Sequence, residues 1–207
     1  MNAQSDQVGC IATQTKGWKM TDFTLHTAET APAAAKPLLE KSVKDFGFVP
    51  NLHAAMADSP QLLQAYQQVH ELFLASSFDA EEKTVVWQTI NVEHNCHYCV
   101  PAHTGVAHSM KVDAALTDAL RDNAPLGNAR LEALRSFTLK VVRERGVVSD
   151  ADVAEFLAAG FTKANVLDVV LGLSQKVMSN YVNHLAHTPV DKVFEKFAWE
   201  KKVAEPA

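Results

Sequence analysis

From about Ala28 to the end of the chain, apolar residues return every three or four positions. Nowhere do they alternate with polar ones over four or more residues, as in a half-buried strand. The pattern therefore predicts an all-helical fold. Between Pro60 and Ala75, Leu62, Leu63, Tyr66, Val69, Leu72 and Phe73 make one apolar stripe. Asp79, with Glu82 three residues later, has the form of a capping box that opens a helix from Ala80 to about His94, with Val85, Val86, Ile90 and Val92 as its apolar members. Further helices are predicted over Val112–Leu120, over Ala129–Arg145 with a stop at Gly146, and over Asp150–Ala159 with a stop at Gly160. The longest pattern starts at Thr162, a capping residue, and runs to Thr188 and Pro189; an amphipathic piece, Val190–Trp199, closes the chain. The core is expected to form between the apolar faces of Ala129–Arg145 and Val166–Val182, with Phe73 and Trp87 inside it. Loops are short and no linker interrupts the pattern, so residues 21–207 are expected to be one domain, with 28–59 as an N-terminal helical extension. Residues 1–20 are polar and aperiodic, which predicts a flexible tail.

Composition narrows the function classes. With 207 residues, 47% hydrophobic and 21% charged, the chain can bury a full core without metals or disulfides. A net charge of −5 gives no reason to expect a nucleic acid or an anionic membrane as partner. No stretch approaches the roughly 20 apolar residues a membrane helix requires. Cys10, Cys96 and Cys99 are an odd number with two nearly adjacent, which is not the framework of a small secreted domain. A reducing, cytoplasmic setting is the expectation.

Chemistry concentrates between Glu93 and His108, which hold two of the three Cys and four of the nine His. Cys96 and Cys99 in Cys-x-x-Cys spacing can close a disulfide across one helical turn, which gives a reversible two-electron couple. Pro101 is best tolerated in the first turn of a helix, so the helix carrying His103 should start near His97 or Tyr98 and the previous one should end around His94 and Asn95. The thiols then lie at a helix N-terminus, where free N–H groups favour a thiolate. His103, four residues after Cys99, lies on the same face and is placed to take or return the thiol proton. Two other readings stay open: a structural zinc site on Cys96, Cys99, His103 and a fourth ligand, and two inert core cysteines. Val100 stands where covalent haem attachment requires His, and no strand precedes the motif as in a thioredoxin-like fold. His94, His97 and His108 are ordinary surface or supporting groups by default. Asn180, Tyr181, Asn183, His184 and His187 sit on a largely apolar helix and need partners; among them His184 is a candidate for the pocket wall or a subunit contact.

Glu93 to His108, together with Pro50-Asn51-Leu52 and the helix before the thiols, resembles the carboxymuconolactone decarboxylase and AhpD-like alkylhydroperoxidase superfamily, in its peroxidase-related branch. The resemblance spans about residues 47–189 and is most specific in Cys96, Cys99 and His103. It implies an AhpD-like helical bundle that forms a trimer or hexamer, and a thiol-dependent peroxidase that needs no cofactor or metal. It also implies a small hydroperoxide substrate and a thiol or dithiol reductant. By the same resemblance Cys99 attacks the peroxide, Cys96 resolves the product as a disulfide, and His103 shares a proton relay with a Glu. Thr84 stands where the best-known peroxidases carry that Glu, and Tyr98 replaces a His between the thiols. Glu93 is the favoured substitute for the relay carboxylate, and Glu82, already engaged by Asp79, is the other. The rival functions are a redox sensor or adaptor without catalysis and the decarboxylase or lactone chemistry found elsewhere in the superfamily.

Overall fold

The computed structural model describes residues 23–201. The tail expected over residues 1–20, with Cys10, lies outside them. The described residues contain no strand. They form α1 (Lys36–Phe46), α2 (Asn51–Met56), α3 (Pro60–Leu74), α4 (Ala80–Glu93), α5 (Cys99–Ser109), α6 (Ala114–Arg121), α7 (Ala129–Arg143), α8 (Asp150–Ala158), α9 (Lys163–Ala186) and a closing 3-10 segment, Lys192–Phe197.

Local chemistry sets most of these limits. The capping box opening α4 is present: the Asp79 carboxylate accepts the Glu82 N–H at 2.8 Å and Glu82 accepts the Asp79 N–H at 3.1 Å. Ser149 with Asp152 opens α8 and Thr162 with Asn165 opens α9 in the same way. The helix expected from Val112 begins at Ala114 because Asp113 is its cap and accepts the Ala115 N–H. At the end of α7, Arg145 and Gly146 both take left-handed backbone (φ 54° and 84°), so the helix stops at Arg143. Residues 190–199, the closing amphipathic piece, hold only a 3-10 segment and form a strap, held by Asp191 on Asn51 and Tyr98 and by the Trp199 indole N–H on the Arg121 carbonyl.

α4 runs through the centre and is buried on every side from Thr84 to Val92. It packs against α5, α6, α7 and α9. Around it lies the main apolar core, with Phe73, Trp87, Ile90 and Leu134 buried and Phe137, Phe156 and Phe161 stacked at 4.3 and 4.4 Å. Each such side chain is worth about 1.5–3 kcal/mol when fully buried. α9 crosses α3 and α4 so closely at Gly172 that a Cβ there would lie 2.7 Å from Phe73 and 2.8 Å from Val86. A second core, formed by Leu39, Leu52, Met56, Leu63 and Tyr66, encloses Cys96, Tyr98 and Cys99. The helical extension therefore builds one wall around the thiols.

Candidate active site

The break between α4 and α5 sets the thiols. Asn95, one of the few side chains that tolerate left-handed backbone, has φ 54°. The Asn95 and Cys96 N–H groups close back onto Val92 and Asn91 at 3.1 and 3.0 Å, which terminates α4. One turn later α5 begins at Cys99, with Pro101 in its first turn, where a missing N–H costs nothing. Cys96 Sγ accepts the Cys99 N–H at 3.2 Å, as a capping oxygen would. Both cysteines are free thiols and both are buried.

α9 completes the site with residues that the motif does not reveal. Asn183 Nδ2 donates to Cys99 Sγ at 3.2 Å, and Lys176 Nζ lies 2.8 Å from His103 Nε2. Behind them Asn180 donates to Asn91 at 3.0 Å and lies 2.9 Å from the His94 ring, and Asn91 reaches Gln88 at 3.0 Å. This amide chain fastens α4 to α9 beneath the thiols.

The two sulfurs are driven apart electrostatically. Burial pushes the Cys99 thiol up, but a hydrogen bond from Cys96, the Lys176 charge and the Asn183 and Asn180 amides outweigh it, so its pKa falls below the ordinary thiol value. Cys96 moves the opposite way, through its hydrogen bond to Cys99 and its burial. Cys99 is thus the sulfur favoured as thiolate and Cys96 the one favoured as thiol. Burial lowers the Lys176 pKa while Cys99 and Cys96 oppose that shift; no carboxylate among the described residues pairs with it.

Burial, Lys176 and His70 hold His103 well below its ordinary pKa, so its imidazole is neutral. An ammonium can only donate. With Lys176 as the ammonium, His103 Nε2 is the acceptor and the ring proton sits on Nδ1, an atom that is itself buried and has no partner in the protein. The ring leans on Trp87 at 4.8 Å. No hydrogen bond joins it to Cys99, so the spacing correctly puts the two on one helix without making His103 the thiol's base.

Cys99, His103 and Lys176 line a cavity of about 300 Å³, walled by Phe46, Phe48, Leu52, Tyr66 and Phe194. His70 and His53 also face it, held by burial down to about 4 and about 3. Gln175 accepts the Trp87 indole N–H at 2.7 Å, which turns its amide N–H toward His70 Nδ1 at 2.8 Å. His70 therefore carries its proton on Nε2. At the mouth Lys41 bridges Asp45 and Glu71 at 2.5 and 2.8 Å.

Of the four residues expected at the site, Cys96, Cys99 and His103 come together and Glu93 does not. Its carboxylate is held by Arg143 at 2.8 and 2.9 Å outside the cavity, because the last turn of α4 points it toward α7. Glu82 is no substitute, being paired with Arg130 at 2.6 Å. The Thr84 hydroxyl is spent on the Ala80 carbonyl. His94, His97, His108, His184 and His187 are not among the cavity residues. Among the described residues no three His, Cys, Asp or Glu side chains gather as metal ligands.

The all-helical body has the AhpD-like fold, as its likeness to solved structures shows. An uncharacterized peroxidase-related protein from Ralstonia eutropha JMP134, described as an alkylhydroperoxidase AhpD core, superposes with a TM-score of 0.75 at 20% identity, over 84% of this chain and 94% of its own. A second uncharacterized peroxidase-related protein, from Silicibacter sp. TM1040, gives 0.71 at 22% identity over 87% and 97%. The debrominase Bmp8, solved as a cysteine-to-alanine variant in complex with 2,3,4-tribromopyrrole, gives 0.69 at 15% identity over 85% and 95%. No family model and no curated protein matches the sequence.

Proposed function

We propose that the chain is a thiol-dependent peroxidase that reduces hydroperoxides through a Cys96/Cys99 dithiol–disulfide cycle. The observation that carries this is Cys99 lining an apolar cavity at the start of α5 with a second thiol against its back, in surroundings that favour the thiolate. The Cys99 thiolate attacks the terminal oxygen of the hydroperoxide; an S–O bond forms, the O–O bond breaks, the thiolate becomes a sulfenic acid, and the departing alkoxide takes one proton from solvent and leaves as the alcohol. The Cys96 sulfur then displaces that oxygen as water, supplying its own proton, and the disulfide forms. Two electrons and two protons from an external thiol or dithiol reset the site. Peroxide consumption in the presence of a panel of thiol donors tests the cycle. In Cys96→Ser, dimedone should trap a sulfenic acid at Cys99, whereas Cys99→Ser should leave Cys96 sluggish; trapping at Cys96 instead would reverse the roles. The debrominase among the structural neighbours makes aryl halides the control substrates, and turnover of those alone would replace this function with reductive dehalogenation.

A reducing, cytoplasmic setting suits such a cycle. Among the described residues no single helix is long and apolar enough to cross a membrane. The assembly implied by the resemblance is proposed as a trimer or hexamer of this chain, supported by the outward apolar residues Leu167, Val170, Tyr181 and Leu185 of α9. Sedimentation at micromolar concentration should give a particle several times the 22.6 kDa chain mass, and a monomer there would remove the proposal.

A further inference from the structure

We infer that His70 is a substrate-binding residue: its Nε2–H is a fixed, uncharged donor in the wall of the thiol cavity, and it receives an oxygen of an uncharged, largely apolar organic substrate. The inference rests on the cavity beside Cys99 being the substrate site of the peroxidase function proposed above, and it names the class of molecule that site takes.

The place of the ring proton follows from bonding alone. An indole N–H can only donate. The Trp87 indole therefore meets the oxygen of the Gln175 amide, at 2.7 Å, and the amide nitrogen is left facing His70 Nδ1 at 2.8 Å. Two N–H groups cannot point at each other, so Nδ1 is the lone pair and the proton is on Nε2. Gln175 is fully buried, and turning its amide over would break both bonds. A second proton on the ring would have to sit on Nδ1 and would also break the bond to Gln175, so the imidazole that faces substrate is neutral. Its faces are taken as well: it stacks nearly parallel on Tyr66 at 6.4 Å and on Trp87 at 5.8 Å.

What remains is the Nε2 edge. His70 is half-buried and lines the cavity. Nε2 has no partner among the described residues, yet it is not one of the buried atoms left unpaired, as His103 Nδ1 is. The edge is thus open, and the cavity is what it opens on. Other donors there are engaged: Gln67 on the Leu38 carbonyl and Ser42, both at 3.0 Å, and Tyr98 on Asp191. Around the free donor the wall is apolar, with Phe46, Phe48, Leu52 and Phe194. A volume of about 300 Å³ is at the lower end of small-molecule pockets and suits one compact organic molecule. At the mouth Asp45 and Glu71 face Lys41, which leaves one negative charge in excess and disfavours an anion. Within, the Lys176 ammonium has the Cys99 thiolate as its counter-charge.

Unreactive ligands test this without turnover. Cumyl alcohol, the product left when cumene hydroperoxide is reduced, differs from cumene by one hydroxyl. His70→Phe keeps a ring in the stack and removes the donor. In ligand-observed NMR titrations it should weaken cumyl alcohol by about threefold to tenfold, the worth of one neutral hydrogen bond, and leave cumene unchanged. His70→Gln brings an amide N–H to the place of Nε2 and should recover most of the loss. The anion para-isopropylbenzoate should bind the wild-type chain more weakly than the alcohol does. Equal loss of alcohol and cumene in His70→Phe would mean that the ring only packs, and no loss of either would mean that the proton points elsewhere. Each overturns the inference, as does tighter binding of the benzoate or no binding of the alcohol to the wild-type chain. The wiring has its own check: nitrogen NMR should find the Nε2–H tautomer at His70, and a proton on Nδ1 would overturn the inference even if the variants do not fold. The two readings fail separately. A chain inert to every peroxide that still binds the alcohol through His70 refutes the peroxidase function alone. Cumene hydroperoxide reduced with the same kcat/KM by His70→Phe refutes the role of His70 and leaves the peroxidase standing.

Discussion

Lys176 is the residue on which the site's charge depends, and it is fully buried with only thiols and a neutral imidazole facing it. A lone charge at that depth would cost several kcal/mol, so the ammonium and the Cys99 thiolate each favour the charged form of the other. This predicts a bell in the pH dependence of hydroperoxide reduction. The rising limb follows Cys99 ionisation and should lie below the ordinary thiol pKa of about 8.5, because the shift is downward and reactivity is lost as pH falls through it. The falling limb follows loss of the Lys176 proton and should lie below the usual lysine value of about 10.4, again a downward shift. A rate that rises through the ordinary thiol value would show Cys99 to be unassisted. The sequence carried Cys96, Cys99 and His103 in their spacing, which is local and survives any packing. It did not carry Lys176, since one lysine in an apolar run reads as a surface side chain until the helix's inner face is known. Glu93 misled for the converse reason: nearness along the chain placed it beside the motif, while the rotation of α4 placed it on Arg143.

At the level of elements, α9 changes character along its length: Val166, Val169 and Leu173 pack into the main core, and beyond them the inner face turns polar. Gln175, Lys176, Ser179, Asn180 and Asn183 share its buried face, whereas Leu167 and Leu185 are 69% and 68% exposed. Helical spacing was visible in both sets, so the helix itself was legible, but the rule that apolar residues point inward holds only for its first half and misses the polar inner face from Gln175 to Asn183. The polar face is satisfied only because α4 and α5 present Asn91, His103 and Cys99 to it. That match is a tertiary fact and has no local signature beyond polar residues recurring at helical spacing. Where capping chemistry is local, as at Asp79, Ser149 and Thr162, element starts were legible to within a residue or two. The conformation of the closing segment was not legible, because it is set by contacts far along the chain, including Phe194 against Gly105, where a Cβ would come within 2.5 Å of the ring.

For the molecule as a whole, that strap joins three parts remote in sequence. Asp191 accepts the Asn51 N–H at 2.9 Å and the Tyr98 hydroxyl at 2.5 Å, while the same hydroxyl oxygen accepts the Leu52 N–H at 3.3 Å. Asn51 Nδ2 reaches the Pro189 carbonyl at 3.0 Å. The Pro50-Asn51-Leu52 element thus binds the C-terminal strap to the very turn that holds the thiols, since Tyr98 lies between them. The Tyr98 phenol is a fixed clamp with both hydrogen-bonding sides used. Asp191→Ala removes the acceptor of two bonds to a buried acid, and hydrogen bonds of that kind are worth roughly 1.5–3 kcal/mol each. The variant should therefore unfold at lower denaturant or temperature, and amide exchange at Asn51 and Leu52 should quicken first. Tyr98→Phe should reproduce the faster exchange at Leu52 with a smaller loss of stability, because Asp191 keeps its bond to Asn51. Unchanged exchange at both amides in Asp191→Ala would show that the strap merely lies on the surface and does not hold the wall of the thiol cavity in place.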